Sequence, residues 1–433
     1  MPLDFRRIIE DRRLGKNHSD QDLKAIASGA ADGSILDYQL AAWLMAEVLK
    51  PLSLQETATL TIAMAESGDH LSLQDIPDPK LDKHSTGGVG DKTSIALLPI
   101  LAACGVSVVK MSGPGLGITG GTVDKLLSIP GLRVQLSPQE LIDQAKRAHI
   151  GITGQSPDLA PADKALYALR DVTATVDSIP LIVSSILSKK LAGGSKTIVI
   201  DVKCGSGAFM RSLSDAKELA AWLKEVGQRC GLTVSTAITD MSQPLGGAVG
   251  NALEVQEALQ VLAKPQSPSQ HRFLELCLIL GAEALHACGI ENGRQKCEEA
   301  IQNGGAGQAA EQWLNAQGAK GTVEEILTSL PKARIQTTIK SESQGWIEAI
   351  KADQVGGAVI ALGGGRLTKA DHIDPSVGVV FTKPVGHSVE AGETLATIHA
   401  ATKEAAEQAE EAIRNAIKLS KVETQPKSLV LDC

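Results

Sequence analysis

The chain has 433 residues, of which 43% are hydrophobic and 2% aromatic, and a formal charge of −8; this is enough apolar material for a large core divided over two or three domains. The acidic balance and the scarcity of aromatics exclude the basic stripe and stacking platforms of a nucleic-acid surface. No apolar run approaches the roughly 18–20 residues that cross a bilayer, and the charged start MPLDFRRIIEDRRLGK is unlike a secretory leader, so a cytoplasmic protein with neither nucleic-acid nor membrane partners is expected.

In the opening segment Leu36, Leu40, Trp43, Leu44 and Val48 recur at helical spacing until Pro51 stops the run. Ser53 and Glu56 then form a capping box ahead of a second helix. Residues 1–66 are expected to form a small helical domain, and 162–192, again helical in pattern, is assigned to it. From about residue 80, glycine-rich turns alternate with β-branched runs and longer helices, which predicts an α/β domain over 80–155 and 195–330. VSVVKM at 106–111 and TIVIDVK at 197–203 are its predicted strands, and Ser137, Pro138 and Glu140 mark a complete helix start. Over 336–433 short alternating runs separated by glycines predict a third, β-rich domain. There VGVVFTKPVGHSVEAGETLATIHA reads as a hairpin, followed by a charged helix and a polar tail. Its turn pattern resembles biotinyl and lipoyl carriers, but the tip lacks their flanked lysine, and a structural role is expected. The seven cysteines have no C-x-x-C pair and no zinc spacing, and most read as small buried hydrophobes.

Two loops carry chemistry. The first, KHSTGGVGDKTS at 83–94, leads into an apolar helix; small residues and hydroxyls at a helix start present bare N–H donors that suit phosphate. It is not a Walker motif, because Asp91 separates Gly90 from Lys92. The second, SGPGLGITGGTVDK at 112–125, follows a predicted strand, and Gly115, Gly117 and Gly120 formally satisfy the dinucleotide fingerprint. Gln135 stands where that fold needs an acidic residue, and Pro130 cuts the next helix short. Tight turns alone would account for either set of glycines taken singly; two such loops in one domain can wrap an anion from two sides.

KHSTGGVGD, SGxGLGxTGGTxDKL, PADKALYALRDVTATVDSIPLI, DVKCGSGAFM and TDMSQPLGGAVGNALEV, in this order along nearly the whole chain, resemble the thymidine and pyrimidine-nucleoside phosphorylase family. The last of them is nearer to the bacterial pyrimidine-nucleoside enzymes. The resemblance implies an α/β protein: a small all-helical domain hinged to a larger α/β domain with a mixed sheet, plus a C-terminal β-rich domain. It implies a pentosyltransferase of nucleoside salvage that reversibly cleaves uridine, thymidine and deoxyuridine to the base and (deoxy)ribose 1-phosphate. Phosphate is then a co-substrate, no cofactor is expected, and the partner is a second copy in a homodimer built by the helical domains. The family's phosphate ligands fall on Lys83, Ser85, Ser94, Ser112 and Thr122. Its pyrimidine ligands fall on Arg170, Ser185 and Lys189, the last two sharing a helix face four residues apart. His84 matches the histidine near the base oxygen; it, Arg170 and Lys189 are the implied catalytic groups, answering the charge that develops on the leaving base.

Four positions depart from the family pattern. Pro114, Ile118 and Leu127 replace an arginine, a histidine and a glutamate; the first and last are expected to represent an ion pair behind the loop lost as a unit, and Ile118 to bear on substrate preference or rate. Lys92 stands where some relatives carry a threonine that binds a monovalent metal, together with carbonyls matching Gly90, Leu245 and Ala248 and a carboxylate matching Glu257. The expectation is no metal, with the Lys92 ammonium in its place. Two alternatives stand beside this reading. One is a phosphoribosyltransferase resembling the anthranilate enzyme, for which the paired Asp-Glu magnesium motif is missing; the other is a non-catalytic nucleoside-binding homologue.

Overall fold

The computed structural model describes residues 4–113, 115, 117–156, 158–366, 368 and 371–432. The chain divides into two compact units: one takes in the segment up to Asp75, Gln155–Ile198 and Glu218–Thr236, the other Ile76–Gly154, Val199–Lys217 and the chain from Ala237 onward.

The first unit holds the helices Phe5–Arg13, Asp20–Asp32, Asp37–Leu49, Leu54–Ala65, Pro161–Val172 and Ile179–Ala192. Ser19 with Asp22 and Ser53 with Glu56 form reciprocal capping boxes, which satisfy N–H groups that a helix start otherwise leaves bare. Ile8, Leu23, Ile26, Leu40, Trp43, Leu60 and Leu181 fill its core. A charged cluster sits beside them: Arg12 lies 2.9 Å from Glu47 and also pairs with Glu56, and Trp43 Nε1 donates to His18 Nε2 at 3.0 Å. Burial is the larger influence on Glu47 and raises its pKa despite the neighbouring Arg12.

The second unit holds most of a six-stranded sheet. Its strands are β1 (Lys80–Ser85), β2 (Ser107–Ser112), β3 (Ile150–Gly154), β4 (Thr197–Cys204), β5 (Thr233–Asp240) and, after a long excursion, β13 (Val430–Asp432), in the order β13-β5-β4-β1-β2-β3. β1 and β2 pair in parallel, as do β2 and β3, whereas β13 runs antiparallel to β5 with Val430 opposite Thr239. The sheet is therefore mixed, and part of the polar tail returns to it as a strand. Between β1 and β2 the helix Thr93–Ala103 provides the crossover that a parallel pair requires, with Ile95, Leu97, Leu98, Ile100 and Leu101 all 0% exposed.

The C-terminal region contains β6 (Ala248–Val249), β7 (Ile335–Lys340), β8 (Gly345–Ile350), β9 (Gly378–Phe381), β10 (Ser388–Val389), β11 (Thr394–Ala400) and β12 (Ile417–Ser420). They form two small sheets, β6-β9-β11-β7 and β10-β8-β12. The expected hairpin is the antiparallel β9 and β11 pair, but β10, which lies between them in sequence, crosses to the other sheet and pairs with β8. β6 comes from the α/β part, with Ala248 opposite Val380, so the segment after Leu245 is built into the β-rich region. Among the described residues no helix is long and apolar enough to cross a membrane.

Candidate active site

The first glycine-rich loop leaves β1 at Ser85 and enters the helix Thr93–Ala103. Asp91 organises it. One carboxylate oxygen accepts from the Thr93 amide at 3.1 Å and the Thr93 hydroxyl at 2.7 Å, and the other accepts from Ser85 Oγ at 2.5 Å. Burial acts to raise the pKa of Asp91, but the charges of Lys203, Lys83 and Lys125, with the Ser85 hydrogen bond, hold it well below the usual carboxylate range. Ser85 Oγ also accepts from the Gly87 amide at 3.2 Å. Its single proton is committed to Asp91, so Ser85 can donate to an anion only by releasing that bond.

Lys83, on β1, is 1% exposed, and its ammonium makes no hydrogen bond; its carbonyl accepts from Lys110 Nζ at 2.6 Å. A buried ammonium with unused donors is costly unless an anion meets it. Ser94 occupies the first turn of Thr93–Ala103, Ser112 closes β2, and Thr122 opens the short helix Thr122–Leu126. His84 is half-buried on β1, between Lys83 and Ser85.

In the first unit the helices Pro161–Val172 and Ile179–Ala192 carry the other expected group. Lys189 Nζ pairs with Asp163 and donates to Ser185 Oγ at 2.9 Å, which brings Ser185 and Lys189 together through their four-residue spacing. Arg170, 2% exposed, donates from Nε to Thr175 O at 3.2 Å, from Nη1 to Leu181 O at 3.0 Å and from Nη2 to Val176 O at 2.6 Å. Three of its five N–H donors thus brace the turn between the two helices, leaving one on each terminal nitrogen; burial lowers its pKa. Asp163 escaped sequence reasoning. Its signal was its position seven residues before Arg170 in PADKALYALRD, the same face of one helix.

Lys92 is the N-cap of Thr93–Ala103, and its side chain is fully buried. Nζ lies 2.6 Å from Leu245 O, 2.7 Å from Ala248 O and 2.7 Å from Glu257 Oε2, while Gly90 O accepts the Lys92 backbone amide at 3.0 Å. The face of Phe273 lies 5.4 Å from the ammonium.

Of the family departures, Ile118 packs against the apolar core of the C-terminal region. It meets the helix Ala352–Ala361 at a glycine: a Cβ on Gly356 would lie 2.8 Å from Ile118 O and 3.0 Å from Val89 Cγ2. Leu127 is 53% exposed, so a glutamate there would carry little burial cost, and the expected ion pair hidden behind the loop has no support at that end. Pro114 lies outside the described residues.

A helical unit followed by a mixed α/β sheet with two glycine-rich loops defines a class, and comparison with known proteins gives it a family. Residues 77–307 match the glycosyl transferase family a/b domain and 6–68 its helical bundle domain, while 346–420 match the pyrimidine nucleoside phosphorylase C-terminal domain. A pyrimidine-nucleoside phosphorylase of Geobacillus stearothermophilus is 45% identical over 429 residues, 98% of each chain. One from Bacillus subtilis is 46% identical over 397 residues, 91% of each. The chain belongs to the pyrimidine-nucleoside phosphorylase family. The crystal structure of anthranilate phosphoribosyltransferase from Thermus thermophilus matches with a TM-score of 0.59 over 73% of this chain and 99% of that one. At 17% identity this is a likeness of fold alone.

Proposed function

We propose that the protein catalyses the reversible phosphorolysis of pyrimidine nucleosides, converting uridine, thymidine or deoxyuridine and inorganic phosphate to the free base and (deoxy)ribose 1-phosphate. The observation that carries this reading is the buried, hydrogen-bond-free ammonium of Lys83 at the first glycine-rich loop, in a chain 45% identical over 98% of its length to a pyrimidine-nucleoside phosphorylase. Phosphate bound by Lys83, Ser94, Ser112 and Thr122, with Ser85 once it turns from Asp91, presents an oxygen to C1′. The bond from C1′ to the base nitrogen breaks, its electron pair leaves with the base, and the new C1′–O bond completes the sugar phosphate. Arg170, Ser185 and Lys189 hold the pyrimidine. The two cations stabilise the charge it gains, and His84 supplies a proton or hydrogen bond. The Lys92 ammonium takes the place of a monovalent cation in this scheme, and the protein needs no cofactor.

Release of uracil or thymine that requires phosphate tests the reading directly. Base release without phosphate, or none at all, would sink it. Lys83→Ala is expected to raise the KM for phosphate by about tenfold or more, the loss of a charge-assisted contact, and to leave the nucleoside KM nearly unchanged. An equal rise in both would remove Lys83 from the phosphate site.

A homodimer is part of the same proposal. Tyr38, Met45 and Leu49 are 70%, 39% and 69% exposed and recur at seven and four residues along the helix Asp37–Leu49, with Leu14 and Leu36 64% and 50% exposed. An apolar stripe of this kind favours burial against another copy of the unit. Sedimentation as a monomer at micromolar concentration would overturn this.

A further inference from the structure

We propose that Lys125 is a positioning residue that ties the two glycine-rich loops to each other through their main chains, and so sets the affinity for phosphate. This rests on the phosphorolysis reading above. Lys125 is 0% exposed in the short helix Thr122–Leu126. Its ammonium donates to Asp91 O at 2.7 Å and Gly120 O at 3.2 Å, and lies 2.8 Å from Glu254 Oε2. Two of its three donors thus meet carbonyl oxygens, one from each loop, and the Glu254 carboxylate supplies the countercharge. Asp91 belongs to the first loop and Gly120 to the second, while Glu254 stands on the helix Asn251–Gln260, with its other oxygen accepting from the Gly250 amide at 3.1 Å.

Loops built of glycine lose much conformational freedom on ordering and have few side chains with which to grip one another. Backbone carbonyls are what they offer, and a long buried lysine can collect one from each. Because a peptide unit is planar with its C=O and N–H opposed, drawing the carbonyls of Asp91 and Gly120 onto one ammonium also fixes the directions of the amides that follow them. The same helix provides a second anchor of this design, since Glu257, three residues on, pairs with Lys92. Lys125 touches neither reactant in this scheme; it acts through the loops.

Lys125→Met/Glu254→Met removes both charges together, so neither is left buried alone. Calorimetric titration with inorganic phosphate is expected to show affinity weakened by about tenfold to a hundredfold, the scale of a small misplacement of binding groups, while the nucleoside KM stays within about twofold. Glu254→Gln is the gentler companion, because its amide oxygen can still accept from Gly250. It should weaken phosphate severalfold and lower the Tm, because the buried Lys125 ammonium loses its countercharge. Phosphate affinity within twofold of wild type in a folded double variant overturns the proposal. So does unchanged affinity in Glu254→Gln if the double variant does not fold, and so does an equal loss for both substrates. Failure of the functional reading itself would look different, since the wild-type protein would then neither bind phosphate nor release base.

Discussion

His84→Ala is expected to lower turnover by about two to four orders of magnitude, the usual contribution of a positioned proton donor, with the fold intact. The side chain is half-buried on β1, where the ladder is made by backbone groups that the substitution leaves in place. On the proposed mechanism, what is lost is the group that meets the electron pair departing with the pyrimidine. Comparing leaving groups isolates that role. A uridine bearing an electron-withdrawing substituent at C5 releases a more stable base anion and depends less on a proton donor, so the defect should shrink with it. If the mutant turns over near normally, or is equally impaired with both nucleosides, His84 is not the acid.

The parts of the fold legible in the sequence are those written locally. The capping boxes at Ser53 and Ser137 mark the starts of Leu54–Ala65 and Pro138–Ala148, and the β-branched runs at 106–111 and 197–203 became β2 and β4. What could not be read was long-range pairing. Nothing within SLVLD announces that β13 will join the sheet beside β5, nor does the spacing of the C-terminal hairpin reveal that β10 belongs to another sheet. Buried charge was the other blind spot. Lys110, Lys125 and Lys203 are at most 4% exposed, although lysine is among the residues least often buried. Their oxygen partners include groups from distant segments, as when Lys203 donates to Thr239 Oγ1 at 3.2 Å and Lys110 to Lys83 O at 2.6 Å. Ile118 shows the same limit in an apolar residue. Its loop is informative in sequence, but the helix it packs on is not adjacent until the chain folds.

Wild-type activity is expected to be the same in potassium buffer as in a buffer free of alkali-metal ions, whereas Lys92→Thr should become dependent on potassium. The ammonium of Lys92 donates to Leu245 O and Ala248 O and pairs with Glu257 Oε2, all at 2.6–2.7 Å, which is the basis for proposing that it stands in place of a monovalent ion. On the proposal that Lys92 replaces such an ion, the residues present leave no place for a metal. Glu257 cannot readily turn away, because its oxygens also accept from the Gly247 amide at 2.8 Å and the Ala248 amide at 2.9 Å. A lysine at a helix N-terminus meets the positive end of the dipole, and the Glu257 carboxylate offsets this. Lys92→Met would leave that carboxylate buried without a countercharge, a loss of about 3–5 kcal/mol for a broken buried pair, read as a fall in Tm that potassium does not restore. Lys92→Thr makes room instead and supplies a hydroxyl oxygen, so potassium chloride should raise both its Tm and its activity where tetramethylammonium chloride does neither. A wild-type enzyme that potassium activates, or a Lys92→Thr variant indifferent to it, would show that Lys92 does not do a cation's work.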